Sequence, residues 1–141
     1  MVRYLLDTNV VAEATKERAE PVVSRWLSRI APDDAFISVV TVAELRAGAE
    51  LMPMGARRRR FEQWIEREVH IRFRRQIVTV DHGVAEAFGV FLAEDRKRGR
   101  TTSPLDLLIA ATASARTLVV VTRNTRDFEH LDIDLVNPSK D

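Results

Sequence analysis

Short apolar runs and amphipathic stretches alternate along the chain. Residues 2–6 form a short, mostly apolar run broken by Arg3 that stops at Asp7-Thr8-Asn9, which predicts a buried strand followed by a turn or helix start, with residues 10–15 opening that helix. Beyond the charged stretch 16–20, Pro21 opens a segment whose Val22, Trp26, Leu27 and Ile30 share one helical face, closed by Ala31-Pro32-Asp33-Asp34. Residues 36–40 form the second predicted strand. Thr41-Val42-Ala43-Glu44 has the form of a capping box and predicts a helix to about residue 52, where Pro53 and Gly55 break it.

Residues 57–69 predict another helix, striped by Phe61, Trp64, Ile65 and Val69. A third strand is expected at 76–80, stopped by Asp81-His82-Gly83. Val84, Phe88, Phe91 and Leu92 then recur at helical spacing up to the basic turn 96–100. Ser103-Pro104 predicts a helix start, with the proline at the first helical position and the helix running to about residue 115. Residues 118–121 are the most strand-like run, and 134–136 suit a short edge strand. Alternating strands and helices predict a three-layer α/β/α domain with a mainly parallel central sheet.

Length and charge narrow this picture. A chain of 141 residues suits one domain, here expected to span 1–141, since no repeat, low-complexity tract or long linker divides it. The 22 basic and 21 acidic residues leave a formal charge of +1, so a nucleic-acid partner must be sought in local clusters. With no cysteine, thiolate catalysis and sulfur-ligated metals are excluded. The longest apolar stretch, 105–121, is interrupted by Asp106 and Arg116, and Asp7 falls where an export signal needs apolar residues. A soluble, unexported, cytoplasmic protein with no membrane partner is expected.

The candidate chemistry lies in four acids at predicted strand–helix junctions: Asp7, Glu44, Asp106 and Asp127. In open α/β sheets ligands bind outside the carboxyl ends of the strands. Asp7 and the segment 122–127 follow strands directly. The helix from Pro104 must run back antiparallel to the strand it feeds, which brings Asp106 to that same edge, and Glu44 lies one turn into the helix after the second strand. Taken singly, each acid is explained as well by helix capping, as is Asp81. Capping does not require the acids to meet, however, whereas the topology gathers four of them. Unpaired carboxylates at one edge repel and raise one another's pKa unless a cation neutralises them, and Mg²⁺ or Mn²⁺ prefers such oxygen donors.

The pieces Leu5-Leu6-Asp7-Thr8-Asn9-Val10, Ser38-Val39-Val40-Thr41-Val42-Ala43-Glu44-Leu45, Leu105-Asp106 and Thr122-Arg123-Asn124-Thr125-Arg126-Asp127-Phe128, in that order, together resemble the PIN domain, most closely its bacterial VapC and FitB toxin branch. The resemblance implies a ribonuclease whose acids bind Mg²⁺ or Mn²⁺ and activate water for attack on an RNA phosphodiester. Asp7, Glu44 and Asp106 match the family's three core acids, and Asp127 a more variable fourth. Many relatives carry aspartate where this chain has Asn124. Thr8, Asn9, Thr122 and Asn124 are implied polar neighbours of the site, while Ser38 and Thr41 read as strand and cap residues. The resemblance further implies a homodimeric toxin neutralised by a cognate antitoxin that supplies DNA binding. Two other readings stay open: a metal-dependent DNA nuclease, and a non-catalytic PIN-like module that binds nucleic acid or an antitoxin.

Basic residues complete the candidate set. There are 19 arginines and three lysines, with eight arginines between 57 and 75, part of which reads as a salt-bridged helix face. Arg100, Arg123 and Arg126 flank the acids and are candidates for RNA backbone contacts. His70, His82 and His130 lack ligand spacing. Phe61, Trp64, Met52 and Met54 read as core or dimer contacts, with an antitoxin groove as the reading the resemblance adds.

Overall fold

A computed structural model describes residues 1–15 and 20–140, so most of the charged stretch, residues 16–19, lies outside the described residues. The strands are β1 (Tyr4–Leu6), β2 (Ala35–Ser38), β3 (Ile77–Val78), β4 (Val119–Val121) and β5 (Leu135–Val136). The helices are α1 (Thr8–Thr15), α2 (Pro21–Ser28), α3 (Val39–Leu51), α4 (Ala56–Trp64), α5 (His82–Lys97) and α6 (Pro104–Arg116). α4 runs on into a wider π turn, Ile65–His70, so the helical stretch expected at 57–69 is present with its last part loosened.

All strand pairs are parallel, in the order β3-β2-β1-β4-β5. Side chains alternate across the sheet with period two. Leu5 and Val120 face a core with Val84, Phe91, Leu107, Ile109 and Phe128, against α5 and α6. Leu6, Val121, Ala35 and Ile37 face a second core with Val10, Trp26, Leu45, Ala49, Ile65 and Val69, against α1 to α4. This is the expected three-layer arrangement, and burial on both faces is why the strands read as unbroken apolar runs.

Two local expectations are corrected. β2 stops at Ser38, whose hydroxyl accepts the Val40 N–H at 3.0 Å, so Ser38 is the cap of α3 and Thr41 lies inside the helix, fully buried. Val39 and Val40 suit a buried strand as well as a buried helix, and hydrophobic period alone does not separate the two. The helix start expected at Asn124 to Asp127 is a single 3₁₀ turn, Thr125–Asp127. Asp81 does cap α5, accepting the Val84 N–H at 3.0 Å, and it also pairs with Arg116 at 2.6 Å. No helix among the described residues is long and apolar enough to cross a membrane.

α6 makes the sharpest demand on packing, since Ile109, Ala110, Ala111 and Ala113 are all essentially inaccessible. Replacing Ile109 with alanine should lower the unfolding free energy by about 2–5 kcal/mol, measured by urea denaturation, and a loss below ~0.5 kcal/mol would contradict this packing.

Candidate functional site

The reversal of strand order lies between β1 and β4, the place in open parallel sheets where ligands bind beyond the carboxyl ends of the strands. Their register pairs Leu6 with Val121, so Asp7 and Thr122 emerge side by side. The Asp7 N–H extends the ladder by one bond, donating to the Val121 carbonyl at 2.9 Å. Asp7 is only 8% exposed, and such a carboxylate needs donors. It has them: the Thr8 N–H to Oδ1 at 2.9 Å, the Thr122 hydroxyl to Oδ2 at 2.9 Å, and the Asn9 amide to Oδ2 at 3.4 Å.

Thr122 is fully buried. Its hydroxyl accepts the Asn124 N–H at 3.0 Å and the Asn9 amide at 3.3 Å, which leaves its one proton for Asp7. Buried as it is, its hydroxyl serves Asp7. Asn124 contributes this backbone N–H. On the other side of β1, the Thr8 hydroxyl donates to Glu44 Oε1 at 2.8 Å and lies 3.2 Å from the Thr41 hydroxyl. α3 thus presents Glu44 toward α1 through Thr8, which the sequence named as a polar neighbour of the site, while Thr41, expected as a cap, stands beside that hydroxyl.

Asp106 is the third residue of α6, half-buried at the helix N-terminus. Asp127 ends the 3₁₀ turn after β4 and is exposed. Among the described residues neither carboxylate has a hydrogen-bond or ion-pair partner. The charges nonetheless act on each other. Burial, then the charges of Asp7, Asp127 and Glu44, push Asp106 up to about 6. Burial also raises Asp7, against the lowering effect of the Thr122 and Thr8 hydrogen bonds, with Asp127 adding to the rise. The four acids named from the sequence thus lie close enough for the charges of Asp7, Glu44 and Asp127 to act on Asp106. Among the described residues no three acidic or histidine side chains already stand within ligating reach of one point. The two observations describe one arrangement: the acids couple through charge without touching, two of them pinned and two without partners. Every donor is a carboxylate oxygen, the chemistry that hard divalent cations take.

The arginines divide. Arg123 Nη1 lies 3.2 Å from Glu20 and 3.7 Å from the buried Glu13, while its N–H reaches the Asn9 side chain at 3.4 Å, so it braces the site's edge. Arg100 and Arg126 are exposed, without ion pairs among the described residues. The salt-bridged face expected within 57–75 exists in part. Arg58 pairs with Glu50 and with Glu62 at 3.7 Å, and Arg46 with Glu50 at 2.8 Å and Glu62 at 3.2 Å. Phe61 and Trp64 stack at 5.4 Å and lean on the second core, leaving Met54 exposed. A separate cleft of about 350 Å³ between the end of α5 and residues 130–132 is lined by none of the four acids.

A doubly wound parallel sheet with charge-coupled acids at its switch point places this molecule among α/β proteins that work at the carboxyl edge of the sheet. The family model of the PIN domain matches residues 4–134, and the chain belongs to that family. It is 34% identical to the VapC ribonuclease Y4jK of Sinorhizobium fredii over 134 residues, 95% of this chain and 96% of that protein. It is 32% identical to Toxin FitB of Neisseria gonorrhoeae over 137 residues, 97% and 99% of the two chains. The solved structure of FitAcB from Neisseria gonorrhoeae superposes with a TM-score of 0.86 at 32% identity, covering 96% of this chain and 97% of that one.

The electrostatics give a direct check. Asp106, ordinarily at 3.8, should titrate near 6 in metal-free protein when followed by carboxyl carbon NMR, and Asp7→Asn should bring it down. Because the folded state holds this proton more tightly than the unfolded chain, the Asp106 contribution to stability is present at low pH and is lost as pH rises from about 4 through 6. An unshifted Asp106 would contradict the clustering of charge.

Proposed function

We propose that this protein is a divalent-metal-dependent endoribonuclease, the toxin of a toxin–antitoxin pair, and that Asp7, Glu44, Asp106 and Asp127 form its metal-binding and catalytic set. The observation that carries the reading is Asp106: half-buried, without a partner among the described residues, and pushed up to about 6 by its burial and then by the charges of three other acids. Such a pocket holds surplus negative charge that its own side chains leave uncompensated, which fits a cation better than it fits helix capping. The residues present fit Mg²⁺ or Mn²⁺, since all four offer oxygen and neither Asp106 nor Asp127 has a hydrogen bond to lose when its side chain turns inward.

When bound, the metal would supply a Lewis acid for the phosphate oxygen and lower the pKa of a hydrolytic water. The chain supplies the rest. Thr8 and Thr122 fix the plane of the Asp7 carboxylate, and Thr8 holds Glu44 beside it. The two apolar cores beneath keep bulk water from the protein side of the pocket. Arg100 and Arg126, exposed and unpaired among the described residues, are suited to RNA phosphates, whereas Arg123 is committed to Glu20 and Glu13. By likeness to Toxin FitB, the protein partner is a cognate antitoxin, and assembly of two copies of this chain is part of the same proposal. Leu51 and Met54, exposed at the α3–α4 turn, offer apolar surface for such contacts.

Asp7→Asn and Asp106→Asn should each lower Mn²⁺-dependent RNA cleavage by roughly 100-fold or more while thermal unfolding shows an intact fold. Full activity in both would refute the assignment, and equal cleavage of matched single-stranded DNA would favour a DNA nuclease. For Arg126→Ala, the dependence of log RNA affinity on log salt should lose about one unit of slope, and Arg123→Ala should show a smaller change in slope with a larger loss of stability.

A further inference from the structure

α5 carries Val84, Phe88 and Phe91 on one apolar stripe, and the next position on that stripe is Asp95, only 5% exposed. An aspartate facing the core is unfavourable unless donors satisfy it. The Thr102 N–H donates to its Oδ2 at 3.0 Å, the Thr102 hydroxyl donates to its Oδ1 at 2.6 Å, and His130 Nε2 lies 3.4 Å from Oδ1. Since Thr102 commits its single hydroxyl proton to Asp95, the 2.8 Å contact between that hydroxyl and His130 Nε2 must be donated by the imidazole. Nε2 therefore carries a proton whether the ring is neutral or charged. The Thr102 hydroxyl, followed by the Thr102 N–H and the His130 charge, holds Asp95 below the usual aspartate value against its desolvation.

The three residues come from three segments. Asp95 is near the end of α5. Thr102 lies just ahead of α6, which carries Asp106 in its first turn, and His130 follows the 3₁₀ turn that carries Asp127, with fully buried Phe128 between them. Asp106 and Asp127 are the two site acids without partners of their own, so their backbone segments must be fixed from elsewhere. We propose that Asp95, Thr102 and His130 form a positioning brace that sets the separation of Asp106 and Asp127, and with it the pocket's grip on a divalent cation. This rests on the nuclease reading above.

The test compares two pairs of variants in the full chain. Thr102→Val and His130→Phe remove a member of the brace; Thr102→Ser keeps the hydroxyl and His130→Gln keeps a donor near the position of Nε2. Mn²⁺ binding without RNA is measured by titration calorimetry, beside kcat and KM for RNA cleavage and thermal unfolding. Thr102→Val and His130→Phe should each weaken Mn²⁺ binding about ten-fold and reduce kcat at subsaturating metal with KM for RNA unchanged, while Thr102→Ser and His130→Gln return within about threefold of the parent. Should His130→Phe fail to fold, the near-isosteric Thr102→Val and Thr102→Ser comparison decides alone. Unchanged Mn²⁺ affinity in folded Thr102→Val protein overturns the brace and leaves the nuclease reading standing. Parent protein that neither binds Mn²⁺ nor cleaves RNA overturns the nuclease reading, and the brace with it.

Discussion

Mutual repulsion among four carboxylates at one end of a parallel sheet is the constraint around which the molecule is organised. At Asp7 and Asp106 the loss of water through burial is the larger effect, and the repulsion adds to it. A folded protein tolerates such a concentration of like charge only where the backbone over-determines the position of each group, or where a ligand relieves it. Both conditions shape this pocket, whose pinned half is satisfied by threonine hydroxyls and backbone N–H groups and whose other half is left without partners among the described residues.

The scaffold supplies that over-determination through its layers. β1 and β4 are so short that Asp7 and Thr122 follow directly after three paired residues, with Leu6 and Val121 buried behind them. α6 is a rigid arm: its alanine-rich face packs into the first core while its first turn reaches the carboxyl edge of the sheet with Asp106. α3 does the same for Glu44 from the other side, capped by Ser38 at the point where β2 ends. Threonines serve this architecture well, because one small side chain fills apolar space through its methyl and fixes a carboxylate through its hydroxyl.

Much of this was legible in the chain. Unbroken apolar runs separated by amphipathic segments gave a parallel sheet covered on both faces, and the direction of the chain then placed Asp7 and Asp106 at a common edge. Local details were less legible for definite reasons. Ser38, not Thr41, caps α3, because two valines suit a buried strand as well as a buried helix turn. Thr122 was legible as a polar neighbour of the site, but that its hydroxyl is committed to Asp7 was not. Arg123 resembled a phosphate contact, yet Glu13 and Glu20, remote in sequence, engage it. A signal for the Asp95 cluster was present, an aspartate at a stripe position of α5, but nothing local named Thr102 and His130 as its partners.

Periodicity, turn chemistry and strand-to-helix direction are properties of neighbouring residues, so the sequence by itself determined the layer order, the parallel sheet and the edge at which the acids gather. Which hydroxyl serves which carboxylate, which arginine is already engaged and how far one acid shifts another depend on distances between segments up to 115 residues apart. Those distances exist only once both cores have packed. Electrostatic and hydrogen-bond energies change steeply over a few ångströms, and for that reason the tertiary structure alone decided them.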